Sequence, residues 1–403
     1  MPHAGAGPDH RATRWGLVIA ALAAGLIAAG HVGKLPPALP AIRGELGLDL
    51  VAAGWLASMF SATGMLIALV VGVIADRLDH WRLVVSGLAV MAASGIAGSL
   101  TQTAPQVIAS RFFEGIGFLA VVIAAPSVIA RATSERDRSM ALGFWATYMP
   151  GGASLMILVA PWLMDAAGWR GLWIAVAALA GLTAVAMLLF TGTPAMRSAP
   201  GSTPWAGLRT AIAQPGPWLV AGCFALYGSQ LYALITWMPT FMIDERGTDP
   251  AVAAALTAAV VIVNGLCSVL GGVLLHRHTA PWAMIATSGV VMAISALGSF
   301  SPLLSDVVRY LSTVILCGTG GVVAAAVFAM APTFTRSPAQ TGAINGLLVQ
   351  ASGLAQFAGP SVLAIGVAQS GRWESALWPM VGANVLMIVL AVLVRREKRM
   401  MQG

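Results

Sequence analysis

Charge is scarce in this sequence. Only 9% of the 403 residues are Asp, Glu, Lys or Arg, against about 25% in an average soluble protein, which excludes a water-soluble enzyme. Cysteine is nearly absent. Cys223, Cys267 and Cys317 lie singly in apolar runs without paired spacing, so they read as small buried residues rather than a disulfide or thiolate framework. The sequence contains no polar stretch approaching the ~100 residues of a separate soluble domain. Catalytic patterns are missing as well: no glycine loop ends in Lys-Ser or Lys-Thr, no Cys/His/Asp cluster has metal spacing, and the serines lack a base. Neither enzymatic activity, nor a nucleotide-driven pump, nor a cofactor is expected. The net charge of +7 does not point to nucleic acid, because the basic residues are scattered without interleaved aromatics.

What is abundant is apolar residue, 58% of the chain. A hydrocarbon core ~30 Å thick takes ~20 apolar residues per helix, and twelve such segments can be marked, near 15–42, 50–75, 82–102, 105–130, 139–164, 169–192, 217–243, 251–275, 280–301, 303–331, 338–369 and 373–395. They are long and continuously apolar rather than alternating, so helices are expected and a barrel is not. The longest interruption carries Pro194, Pro200, Pro204 and Pro215 and reads as a linker. The expected organisation is a tail at 1–14, a six-helix bundle at 15–192, a linker at 193–216, a second six-helix bundle at 217–395 and a tail at 396–403.

Counting spans from a cytoplasmic N-terminus places fifteen Lys and Arg residues inside, and only Arg43, Arg170, Arg246 and Arg372 outside. This positive-inside bias puts both termini in the cytoplasm of a multi-pass inner-membrane protein. Arg11 and Arg14 before the apolar run 15–29 resemble a secretory signal. The run continues through Pro36 and Pro40 into the next span, however, and cleavage would invert the charge bias, so the segment is read as the first span. Trp15, Trp205, Trp218, Trp282, Trp373 and Trp378 sit near span ends and read as interfacial anchors.

The two halves look like copies. An offset near 200 aligns Gly72-Val73-Ile74-Ala75-Asp76-Arg77 with Gly272-Val273-Leu274-Leu275-His276-Arg277, Arg111 with Arg309, and Leu39-Pro40 with Met238-Pro239. Repeated halves are a common plan for secondary transporters. With the Gly72–Arg77 motif between the second and third spans and Arg111, Gly115 and Gly117 in the fourth, the whole chain resembles the major facilitator superfamily. Gly143 and Pro150-Gly151-Gly152 form an incomplete version of the glycine-proline signature of that family's antiporters. The stretches 125–129 and 143–161 are similar to its cyanate and nitroimidazole branch. The resemblance implies two bundles that rock about a central site. It also implies a gating latch at Gly72, Asp76, Arg77 and Arg82, with His276 replacing the acid in the second copy.

Ionisable residues inside spans usually mark a cavity, a relay or a substrate site. Glu114 is the one acid well inside a span, and Arg111 lies one turn away on the same face. Its proton occupancy is set by the balance of burial against Arg111, which a solute or a bundle movement can disturb, so Glu114 is the candidate proton coupler; a static ion pair is the alternative. His31 and Lys34, again three apart, form a second set, with snorkelling of Lys34 as its alternative. Lys34, Arg111 and Arg309 outnumber Glu114, so a cavity lined by them would be electropositive and suit an anion, although Asp306 could neutralise Arg309. Tyr227, Gln230 and Tyr232 in the seventh span, Asn264 in the eighth and Asn345, Gln350 and Gln356 in the eleventh are candidates for the second half's share, or for helix-to-helix hydrogen bonds. The expected function is proton-linked secondary transport of a small organic anion by a monomer, with the solute, the proton and the bilayer as partners. The alternatives are a multidrug/proton antiporter and a non-transporting receptor or scaffold.

Overall fold

The computed structural model describes residues 12–75, 79–191, 209, 213–334 and 338–402. Among these, ten segments are long and apolar enough to cross a bilayer. One of them, Glu135–Leu189, spans 55 residues and is two crossings, divided where Ala167 and Gly168 leave helical geometry and Gly168 takes a φ of 64°. Leu50–Ala75 adds a further apolar helix, so the described residues form an all-helical polytopic fold consistent with twelve spans.

The first span departs from an unbroken run. It consists of Trp15–Gly33 and Leu35–Leu46, joined at Lys34. Pro36 and Pro37 supply no N–H to the preceding turn, and their rings crowd its carbonyls, so the helix yields where they enter it. The second, third and fourth spans are Leu50–Ala75, His80–Ser99 and Ala104–Ala132. The fifth begins as Glu135–Ala146 and resumes at Tyr148 in a helix that continues through the Ala167/Gly168 break into the sixth. The remaining six are Pro215–Arg246, Pro250–His276, Pro281–Phe300, Asp306–Met330, Pro338–Ser370 and Leu377–Gln402. The last helix continues through 396–402, where a tail is expected. Asp76, Arg77 and most of the expected linker, 192–208 and 210–212, lie outside the described residues.

Successive spans run antiparallel, which defines a near side carrying Trp15 and Gln402 and a far side opposite. On the near side, Arg14 N–H donates to Ala132 O at 2.8 Å. On the far side, Arg170 pairs with Glu45 at 2.8 Å and Arg43 with Asp244 at 3.0 Å. Spans one to six pack mainly among themselves, as do spans seven to twelve. One apolar core runs from far-side residues of the first group, such as Leu39, Leu56 and Trp173, into the whole second group, while a second core from Leu17 to Met187 belongs to the near side of the first group alone. The two groups are therefore fused by packing on the far side.

Their principal seam joins spans two and eleven. Ser58 and Ser361 share a 2.8 Å hydrogen bond, Ser61 donates to Gln356 at 3.1 Å, and Gln350 donates to Met65 O at 3.0 Å. Between them the backbones nearly touch: a Cβ on Gly353 would lie 2.5 Å from Met65 N. A second seam sets Ile157 of the fifth span against Ala254, Ala258 and Val261 of the eighth. Gly353→Leu should wedge spans two and eleven apart at a cost of about 1–3 kcal/mol. Spin labels at positions 43 and 244 should then show a longer distance distribution than in the parent; an unchanged distribution would refute the close-approach role.

Candidate functional site

Arg111, Glu114, Lys34 and His31 come together in one buried cluster, each 0–1% exposed. Glu114 is its centre. Lys34 Nζ donates to Glu114 Oε1 at 2.7 Å, Arg111 Nη1 donates to Glu114 Oε2, and His31 Nδ1 stands 3.6 Å from Glu114 Oε2. Lys34 Nζ also lies 3.3 Å from His31 Nδ1. The broken first span positions two of the four: Lys34 occupies the joint, and the carbonyl of His31 beside it accepts from Arg111 Nη1 at 3.0 Å. Counted from Ala104 at ~1.5 Å per residue, Glu114 lies about 15 Å below the far end of its helix, near the bilayer midplane.

Walls from three other spans complete the cluster. Lys34 Nζ stacks 4.3 Å from the Trp173 ring centroid and Arg111 4.4 Å from that of Phe60, geometries in which ring faces favour cations. Gly115 lets the second span close in, because a Cβ there would collide with Phe60 O; Gly117 does the same against Gly87, and Gly95 faces Glu114. Four buried polar atoms around the cluster, His31 Nε2, Arg111 Nε, Thr63 Oγ1 and Trp173 Nε1, have no hydrogen-bond partner among the described residues. With His31 neutral, two cations face one carboxylate, an excess of one positive charge.

This placement corrects two expectations. The cluster lies inside the first six-helix group rather than lining a space between the two groups, because its walls come from spans one, two, three, four and six. Arg309 is not part of it. It sits in the first turn of the tenth span at the far end of the second group, where its Nε donates to Ser299 O at 3.1 Å. The tenth helix begins at Asp306, so Arg309 is three residues in, whereas Arg111 is seven residues past Ala104.

The other expected residues are dispersed. Tyr227 OH and Asn264 hydrogen bond to each other, and Asn264 Nδ2 donates to Cys317 O at 2.6 Å. Gln230 is paired with Asn384 of the twelfth span through bonds of 3.2 and 2.9 Å. Both sets are neutral and serve helix packing. Gln350 bridges the seam between spans two and eleven, its Oε1 buried without a partner, and Asn345 is exposed. Half-buried Tyr232 lies within electrostatic reach of Tyr227 and of Tyr148 in the opposite group. Gly72 falls in the second helix, and exposed Arg82 opens the third, where its N–H and that of Trp81 are capped by the Asp79 carboxylate.

Several participants have no counterpart in the sequence reading: Trp173, Phe60, Tyr148, Asn384 and the cap at Asp79. Asn384 carried a usable signal, being a lone amide in an apolar span like Asn264. The aromatic walls carried none, because only tertiary packing selects which rings meet the cations.

The architecture is that of a polytopic membrane protein with two antiparallel six-helix groups. The family model of the Major Facilitator Superfamily matches residues 15–360, and the chain belongs to that superfamily. It is similar to an uncharacterised MFS-type transporter of Mycobacterium tuberculosis, 29% identical over 197 residues that make up 48% of this chain and 28% of that relative. It resembles the 3-(3-hydroxy-phenyl)propionate transporter of Escherichia coli K12 at 25% identity, covering 89% of this chain and 88% of the relative. It also resembles the cis,cis-muconate transport protein of Acinetobacter baylyi at 30% identity, covering 52% and 53%. The match thus spans little more than a quarter of the Mycobacterium relative and about half of the Acinetobacter one. Among solved structures, a bacterial homolog to the human lysosomal transporter Spinster, in an inward-facing and unoccupied conformation, superposes with a TM-score of 0.80 at 17% identity over 96% of each chain; this likeness shows the fold.

Removing one member of a buried ionic set leaves its partners uncompensated, at about 3–5 kcal/mol. Glu114→Leu should therefore destabilise strongly, and Lys34→Met less, because Glu114 keeps Arg111. Thermal melts of the purified variants check this order, and equal or reversed losses would contradict the central position of the carboxylate.

Proposed function

We propose that the chain is a secondary active transporter carrying a small organic anion across the bacterial inner membrane, with the near side cytoplasmic and a proton as the coupling ion. The protein acts as a monomer in this reading, with no enzymatic step. The observation that carries it is the lone Glu114 carboxylate held between Lys34 and Arg111 with His31 against it. Protonating Glu114 raises the local excess from one positive charge to two. In a medium of low dielectric such a change is felt over the width of a helix, so in this reading a proton on Glu114 and a bound anion stabilise each other. Carrying both together is symport.

The groups assigned to the solute in this reading are Tyr148 and Tyr232, one from each six-helix group, which donate no side-chain hydrogen bond among the described residues. The far-side fusion of the cores corresponds to a state shut toward the outside. A lipophilic cation would be repelled by the same excess charge, which separates this reading from a drug exporter. The transport of 3-(3-hydroxy-phenyl)propionate and of muconate by the Escherichia and Acinetobacter relatives named above supports an organic anion.

Proteoliposomes with an alkaline interior should accumulate cis,cis-muconate or 3-(3-hydroxyphenyl)propionate above a gradient-free control. Glu114→Gln should abolish the gradient response while leaving exchange across equal pH. Uptake of a bound anion that ignores the imposed gradient would remove the coupling claim. Tyr232→Phe should raise KM several-fold through loss of one hydrogen bond, with kcat little changed; an unaltered KM would place the solute elsewhere.

A further inference from the structure

The second six-helix group contains a cavity of its own at the far end, about 160 Å³ in volume, lined by residues of spans seven, nine, ten and eleven and the turn before span twelve. A cavity of about 150 Å³ suffices to hold a benzene ring. Its walls are aromatic: Trp237, Phe241, Phe300, Tyr310 and Trp373. Trp373 is thus part of an interior wall, 5.9 Å from the Trp237 ring and 5.6 Å from Phe241, rather than the interfacial anchor its position suggests. The polar atoms of these walls are already engaged. Trp237 Nε1 donates to Pro360 O at 2.9 Å, Trp373 Nε1 to Glu245 at 3.1 Å and Tyr310 OH to Leu256 O at 3.1 Å.

Arg309 is the exception. It is 9% exposed and lines the cavity; its Nε donates to Ser299 O, its guanidinium lies 5.9 Å from the Phe241 ring centroid, and its terminal nitrogens donate no hydrogen bond among the described residues. Its Nη1 stands 3.8 Å from Asp306 Oδ1, too far for a hydrogen bond, and that carboxylate is 66% exposed and also lies 3.3 Å from Arg246. Two arginines and one acid leave the lining with one excess positive charge. A guanidinium with its terminal nitrogens free is shaped to grip a carboxylate with two parallel hydrogen bonds, and the surrounding rings favour an aromatic body in offset or edge contact.

We infer that this cavity is a binding site for a one-ring aromatic carboxylate, anchored by Arg309 and distinct from the Glu114 cluster in the other group. The acid's ring occupies the space between Phe241, Trp373 and Trp237, and its carboxylate replaces the distant Asp306 as the partner of Arg309. The site opens on the far side, so it takes its ligand from the medium that the transport reading assigns to the outside.

The test is equilibrium binding rather than flux, so it succeeds or fails independently of that reading. Full-length protein in zwitterionic nanodiscs is titrated calorimetrically with benzoate and with benzyl alcohol, and photolabelled with 4-azidobenzoate. Benzoate should bind saturably, benzyl alcohol at least about tenfold more weakly, the difference expected of a charge-assisted bond. The label should map to the peptides around Phe241 and Trp373. Arg309→Gln should weaken benzoate about tenfold or more and remove that label with the melting temperature unchanged. Arg309→Lys, which keeps the charge but not the fork, should fall between. Equal benzoate affinity in the parent and both variants, or a label confined to other peptides, would overturn the assignment. So would benzoate binding that vanishes when phosphatidylglycerol is included in the nanodisc, since a lipid would then be the occupant.

Discussion

The structure of the first six-helix group depends on a single carboxylate. Among the described residues Glu114 is the sole counter-ion within reach of two fully buried cations, and an ion left unpaired at that depth costs several kcal/mol. Its neighbours are arranged accordingly. The first helix breaks at Lys34, Arg111 takes the carbonyl of His31 at the break, and Gly115 draws the second span in until Phe60 covers the guanidinium. Trp173 covers the lysine from the sixth span. Five spans thereby meet around one carboxylate. The net stabilisation from such a buried set is small, because desolvation offsets attraction; what it supplies is the penalty for every arrangement that separates the charges.

The second group solves the same packing problem without ions. Gln230 with Asn384, and Tyr227 with Asn264 and the Cys317 carbonyl, satisfy buried polar atoms by neutral hydrogen bonds. The duplicated halves have therefore diverged in their electrostatics while retaining their helical plan. Among the described residues, the buried carboxylate is Glu114, at the centre of the first group. The second keeps its excess charge at the far rim, around Arg309 and Arg246. The two positive regions therefore lie at different depths, one at the far rim of the second group and one near the middle of the first, and do not form one pocket.

Much of the fold was legible because each crossing needs a long apolar run, and such runs cannot be hidden. The prolines after Lys34 were read as part of a run that continues into the next span, and the joint they make at Lys34 was not foreseen. The clustering of Lys34, His31, Arg111 and Glu114 followed from i,i+3 spacing for each pair, but spacing on separate helices does not say which pairs meet. For the same reason Arg309 was grouped with Arg111: the repeat offset aligns the residues, whereas the tenth helix starts later relative to its arginine and so leaves it at the rim. Asp76 and Arg77 lie outside the described residues.

The seam between the groups shows why one arrangement can be exchanged for another. In a bilayer, apolar helices gain nothing from escaping lipid, so their association rests on close packing and a few hydrogen bonds. At the seam these are modest: Ser58 to Ser361, Ser61 to Gln356, and backbone contact at Gly64 and Gly353. The Arg43 to Asp244 pair at the far side is 21% and 41% exposed, which limits it to about 0–1 kcal/mol. The interior of the first group holds an ionic set and that of the second neutral hydrogen-bonded pairs, while the surface between them carries few hydrogen bonds and combines close glycine contacts with apolar packing such as Trp55 against Phe357. Displacing one group against the other would break contacts of that kind, whereas the Lys34, Arg111 and Glu114 pairs lie wholly within the first group.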